Sequence, residues 1–117
     1  MKILFYQSKA NRCPAKEFIA TFQARDKAKI LACLKNVEEL GFDCPRVQFR
    51  QIRGYLWEIK IRTPSTGVRL FYAALKENVL IVLHGYCKQS KKAPEKEIIV
   101  AETRLKEVLK NEKNYFR

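Results

Sequence analysis

The chain has 117 residues, 47% of them apolar, with 24 Lys and Arg against 12 Asp and Glu for a formal charge of +12. That length holds one modest core and excludes a second catalytic domain, the apolar share excludes a disordered chain, and the charge draws the protein toward polyanions. The excess is uneven: residues 1–41 carry eight basic and four acidic groups, 42–93 ten and three, and 94–117 six and five, leaving +4, +7 and +1. The middle third is therefore expected to face a nucleic acid, the plainer alternative being a surface charged only for solubility.

Ile3 to Tyr6 is a short run of strand formers, and Pro14 stands where the first turn of a helix tolerates proline, ahead of the stripe Ala15, Phe18, Ile19 and Phe22. Asp26 is expected to cap a second helix whose apolar positions Ile30, Cys33, Leu34, Val37 and Leu40 recur every three or four residues until Gly41 stops it. The two helices form a hairpin. Phe42 to Gly54, with Pro45 and three arginines, reads as an exposed connection that pairs briefly around Val47 to Phe49.

From Tyr55 to Arg62 the period becomes two, with Tyr55, Trp57, Ile59 and Ile61 on one face and Glu58, Lys60 and Arg62 on the other. After the turn Pro64 to Gly67 come strands at Val68 to Leu75 and Val79 to Leu83, joined by Lys76-Glu77-Asn78 with Asn78 suited to a left-handed position. Pro94 opens a last helix with the stripe Ile98, Ala101, Leu105, Val108 and Leu109. The expected fold is α+β in the order β-α-α-β-β-β-α, one domain over residues 1–117. Its sheet is antiparallel, with helices on one face and the Glu58, Lys60 and Arg62 face open to a ligand.

Cys13, Cys33, Cys44 and Cys87 are spaced too irregularly for a metal site and are read as reduced thiols. The apolar run at Ile3 to Tyr6 is too short for a signal peptide core, and Leu70 to Leu75 and Val79 to Leu83 are too short to span a membrane, so a cytoplasmic location is expected. With no Gly-rich phosphate loop, no H-E-x-x-H and no paired metal carboxylates, neither a metal nor a nucleotide cofactor is expected.

Arg62 and Arg69 flank the turn, so their guanidinium groups are expected to lie close enough to grip one phosphodiester; otherwise they are two solvated, mutually repelling charges. His84, the single histidine, falls where the apolar run gives way to Gly85-Tyr86-Cys87-Lys88; it either moves a proton or caps the strand end by hydrogen bonding. Lys88 is expected to point into a site, while Lys91 and Lys92 belong to a basic loop. Tyr86 is a candidate platform for an unpaired base; Tyr55, Trp57 and Tyr72 are read as core.

Leu56-Trp57-Glu58-Ile59-Lys60-Ile61-Arg62, Val68-Arg69-Leu70-Phe71-Tyr72 and Val82-Leu83-His84-Gly85-Tyr86-Cys87-Lys88, with Ala93-Pro94 and Glu97-Ile98 beyond, resemble the phage-derived Gp49-like branch of the HigB toxins, within the RelE/ParE superfamily. Lys60 stands where that strand often carries arginine, which keeps the charge and loses the planar fork. The resemblance implies the toxin of a type II toxin–antitoxin pair: a metal-independent, ribosome-dependent messenger endonuclease that uses the substrate's 2′-hydroxyl. It also implies a helix-turn-helix antitoxin as partner. Carried over, Arg62 and Arg69 stabilise the phosphorane, Lys88 holds the phosphate, and His84 or Glu58 accepts the proton, unless Glu58 instead fixes a neighbouring cation. Lys60, Tyr86, Lys91, Lys92 and Arg53 contact RNA. ParE-like inhibition of gyrase without cutting, or a non-catalytic nucleic-acid module, are the alternatives.

Overall fold

In a computed structural model, which describes residues 1–89 and 91–115, the chain runs β1 (Lys2–Phe5), α1 (Pro14–Ala20), α2 (Ala24–Leu40), β2 (Gln48–Arg53), β3 (Leu56–Arg62), β4 (Gly67–Lys76), β5 (Val79–Cys87) and α3 (Glu95–Lys110). The class is α+β, as expected, but the order β-α-α-β-β-β-β-α has one strand more than the reading of the sequence. The second half of the supposed connection before Gly54 is β2, which pairs with β3 from Gln48 opposite Lys60 to Arg53 opposite Leu56. Pro45 stands just ahead of it and a register shift between Gln51 and Arg53 interrupts its alternation, and together these mask the strand in the sequence.

The sheet order is β1-β5-β4-β3-β2, and it is mixed rather than antiparallel, because β1 lies parallel to β5 along the edge. Both faces are covered in part. The α1–α2 hairpin buries Ile30, Leu34 and Val37 against Ile59, Leu70, Tyr72 and Leu80 on one face. On the other, Ile98, Ala101, Leu105 and Val108 of α3 pack on Phe71, Ala73, Ile81 and Leu83. The expectation of one fully open face is thus corrected: α3 shuts the Phe71 end, and only the end near Arg62 stays open. Leu40 and Leu109, counted in the apolar stripes, are exposed, as is Tyr55, which lies in the β2–β3 turn rather than on the core face.

Pro14 is the first residue of α1, and Gly41 at φ 67° ends α2, both as the sequence implies. Asp26 does not cap α2: the helix begins at Ala24, and the buried Asp26 Oδ1 accepts the Ser65 backbone N–H at 3.1 Å. The first turn of α2 thereby clamps the β3–β4 turn, which is closed further by Thr63 Oγ1 donating to the Thr66 carbonyl at 2.8 Å. Gly85 has no room for a side chain, since a Cβ there would stand 2.6 Å from the Phe18 ring, so α1 seats directly on β5.

Candidate functional site

Alternation along β3 sends Glu58, Lys60 and Arg62 to the α3 side of the sheet, and the ladders bring partners beside them. Lys60 lies between Gln48 of β2 and Arg69 of β4, and Arg69 lies opposite Tyr86 of β5. The Lys88 backbone N–H donates to the Gly67 carbonyl at 2.8 Å, extending β5 alongside the turn. A hollow of about 320 Å³ results, its polar and charged lining being Arg46, Gln48, Lys60, Arg62, Arg69 and Lys88. Arg62 and Arg69 therefore share one anion-sized space, with Lys60 and Lys88.

Five cations round one hollow repel one another, and a single buried carboxylate offsets part of that. Arg69 Nη1 donates to Glu58 Oε1 at 2.7 Å, and the Tyr86 hydroxyl donates to Glu58 Oε2 at 3.1 Å. All three are buried, Glu58 at 0% and Arg69 at 2% exposure. Burial, with the Glu58 charge next, pushes the Tyr86 phenol well above its ordinary range, so it remains a donor. Lys60 is shifted the other way: desolvation and then the charges of Arg69 and Arg50 hold its ammonium below the usual lysine value.

His84 lies at the closed end. The ladder slips by one between Phe71 and Tyr72, so that Leu83 and His84 both turn toward α3. Its ring stacks on Phe71 at 6.2 Å between centroids, Nε2 meets Glu97 Oε1 at 3.1 Å, and Arg104 Nη1 approaches Nδ1 at 3.1 Å. Since the guanidinium only donates, Nδ1 accepts and Nε2 carries the proton. The same Arg104 nitrogen donates to the Leu83 carbonyl at 2.9 Å, fixing the bulge.

Of the side chains singled out in the sequence, Arg62, Arg69, Lys60 and Lys88 meet at the hollow. The others sit in different surroundings. Tyr86 is no base platform, for it is buried, stacked on Phe71 at 5.3 Å and spent on Glu58. Arg53 is bound by Glu102 at 2.8 and 2.6 Å and by Glu95 at 2.9 Å, away from the hollow. Both ring nitrogens of His84 have partners, as do both oxygens of Glu58, which holds Arg69 rather than Lys60 or Arg62. Lys91 and Lys92 are exposed in the loop before α3. Sequence reasoning missed Arg46, Gln48 and Arg50, whose two-residue spacing opposite Val47 and Phe49 was the available signal, and it misassigned Asp26.

Among the described residues no group of three or more His, Cys, Asp or Glu is placed to hold a metal ion, and no helix is long and apolar enough to cross a membrane. The four cysteines are free thiols.

A family model, Phage derived protein Gp49-like (DUF891), matches residues 17–106. The chain belongs to the Gp49-like family. The matched stretch includes every residue lining the hollow, and the family is associated with toxin-like phage-derived proteins. No curated protein matches this Gp49-like chain.

Proposed function

We propose that this protein is a HigB-type toxin: an endoribonuclease that cuts messenger RNA on the ribosome and is held in check by a helix-turn-helix antitoxin. The observation that carries the reading is the hollow itself, where Lys60, Arg62, Arg69, Lys88 and Arg46 converge and no carboxylate is among the lining residues. Such a site suits a phosphodiester, and more so the phosphorane that forms when a neighbouring 2′-hydroxyl attacks it, since the negative charge grows on the oxygens the guanidinium groups face.

In the proposed reaction O2′ bonds to phosphorus and the bond from phosphorus to O5′ breaks, leaving a 2′,3′-cyclic phosphate and a 5′-hydroxyl. Arg62 and Arg69 bind the non-bridging oxygens, and Lys88 positions the phosphate. Lys60, whose proton is loosened by desolvation and by its cationic neighbours, gives it to the departing O5′. Glu58 acts as a positioning residue, aiming Arg69 rather than accepting a proton. With Glu58 and His84 both engaged, the proton of the 2′-hydroxyl passes to water or to ribosomal RNA, and no resident metal is needed for this chemistry.

Expressing the protein and mapping message ends tests the reading. New ends bearing 5′-hydroxyl groups are expected with the wild-type chain and not with Arg62→Ala; intact messages under wild-type expression would refute cleavage. A ParE-like role, in which gyrase is bound and nothing is cut, is favoured by one observation: the two side chains best suited to accept a proton already have partners. DNA damage signalling with unbroken messages would select that reading.

A further inference from the structure

Beside the cationic hollow lies a second one, of about 380 Å³, between β2 and the start of α3, lined by Arg50, Ile52, Lys92, Ala93, Glu95 and Ile98. Its floor is apolar, for Ile52, Ala93 and Ile98 belong to the core beneath α3. One wall is the exposed Arg50. In the ladder Arg50 stands opposite Glu58, two positions from Gln48 opposite Lys60. Residues so spaced on one strand face are about 6.6 Å apart, and the Arg50 charge is felt by both Lys60 and Tyr86. Arg50 thus lines the second hollow two strand positions from Gln48, which lines the first. The other wall is Glu95, whose Oε1 accepts from Arg53 Nη2 at 2.9 Å while Arg53 also grips Glu102. That carboxylate is held in place on the rim rather than left to swing.

An apolar floor between the cations Arg50 and Lys92 and a carboxylate held by Arg53 suits a nucleobase better than a second phosphate, which Glu95 would repel. A base lays its flat face on aliphatic side chains, offers N–H groups of an exocyclic amine to a carboxylate, and leaves its own phosphate near the cation. An acidic peptide would meet repulsion from Glu95.

We propose that this second hollow is a nucleobase subsite for the nucleotide next to the phosphate held by Arg62 and Arg69, selective for a base bearing an amino group, with Arg50 binding the intervening phosphate. The subsite rests on the reading of the first hollow as a phosphodiester site. Cytidine and uridine separate its terms, since they differ in presenting an amino donor or a carbonyl acceptor at the same ring position.

Fluorescein-labelled 2′-O-methyl trinucleotides of cytidine and of uridine, which cannot be cleaved, are titrated with the full chain by anisotropy at several salt concentrations. The cytidine probe is expected to bind tighter on the order of fivefold, and Glu95→Gln to remove most of that preference. Arg50→Ala is expected to weaken both probes and to reduce the slope of log affinity against log salt by about one. Arg62→Ala should weaken both while keeping the preference. If the wild-type chain binds and Arg62→Ala weakens it, yet Arg50→Ala and Glu95→Gln change neither affinity nor preference, the subsite is overturned and the phosphate site stands. If neither probe binds the wild-type chain, both fall. A triglutamate peptide displacing the cytidine probe at equal concentration would overturn the subsite in favour of a protein partner.

Discussion

One face of the sheet has two ends with opposite electrostatics. Under α3, His84 rests on Phe71 with Arg104 and Glu97 on its two nitrogens, and Arg53 is tied down by Glu95 and Glu102. Just past the end of β5, four positions beyond His84, Lys88 joins Lys60, Arg62 and Arg69 round a hollow whose lining includes no carboxylate. The same strands and the same alternation feed both ends. What differs is α3, which brings Glu95, Glu97 and Glu102 to the closed end and does not reach over the open one. Glu58 answers Arg69 alone by direct contact, so Arg46, Lys60, Arg62 and Lys88, which α3 brings no carboxylate to meet, need another anion, and a polyanionic ligand is the one their number fits.

Within the open end, Arg69 and Arg62 look equivalent in sequence and differ in burial, so mutating each sharpens the contrast between structure and chemistry. Arg69→Ala strips the buried Glu58 of its cation and is expected to cost about 3–5 kcal/mol of stability, much of what a domain this size has. Urea unfolding reads that loss, and adding Glu58→Gln should recover part of it, because no buried charge is then left unpaired. If the single variant unfolds at the wild-type midpoint, the pair does not organise the site.

Arg62→Ala removes an exposed side chain on the rim of the hollow and should leave the unfolding midpoint within about 0.5 kcal/mol of wild type. Message cleavage, by contrast, is expected to fall by the equivalent of about 2.7–4 kcal/mol, roughly 100- to 1000-fold, as for loss of one donor to a developing anion. A variant that cuts as well as wild type would place the anion elsewhere.

Much of this was legible in the sequence, and the errors share a cause. Helix periodicity located α1, α2 and α3, and the strict alternation from Trp57 to Arg62 put Lys60 and Arg62 on one face. The convergence of Arg62, Arg69 and Lys88 follows from a hairpin closed at Pro64, which sequence can show. Pairing between distant segments is what it hides. β2 was obscured by Pro45 and a bulge, His84 was turned toward α3 by a one-residue slip against Phe71, and Asp26 was claimed by Ser65, 39 positions away. Burial decided the roles of Glu58 and Tyr86, and burial on this face depends on where α3 lies, which no local pattern states.

Gly85 connects the two ends through the opposite face, because α1 seats there and the strand on either side of it carries His84 and Tyr86. Gly85→Ala forces a Cβ to within 2.6 Å of the Phe18 ring and 2.8 Å of the Leu70 side chain, the latter fully buried. Overpacking of this kind costs about 1–3 kcal/mol, and the additional Phe18→Leu change should return part of it by vacating ring volume. Thermal unfolding of the single and double variants measures both. A single variant as stable as wild type would mean that α1 does not fix the strand at this point.

The smallest expected effect belongs to the closed end. Burial holds the His84 imidazole below its ordinary value of 6.5, the Glu97 hydrogen bond opposes that shift without overcoming it, and the Arg104 charge adds to it. In the unfolded chain the ring has its ordinary pKa, so as pH falls the unfolded state takes up the proton first. The stability held by neutral His84 is complete above 6.5 and is lost as pH falls through the native value. Unfolding midpoints measured from neutral pH down to about pH 5 should therefore decline more steeply in the wild-type chain than in His84→Gln, by less than the change at Gly85. Because the open end has no histidine, RNA affinity over the same range should follow this decline only where unfolding begins. A separate, earlier loss of affinity would show that His84 acts on the ligand after all, and the division of the face into a closed structural end and an open binding end would fail.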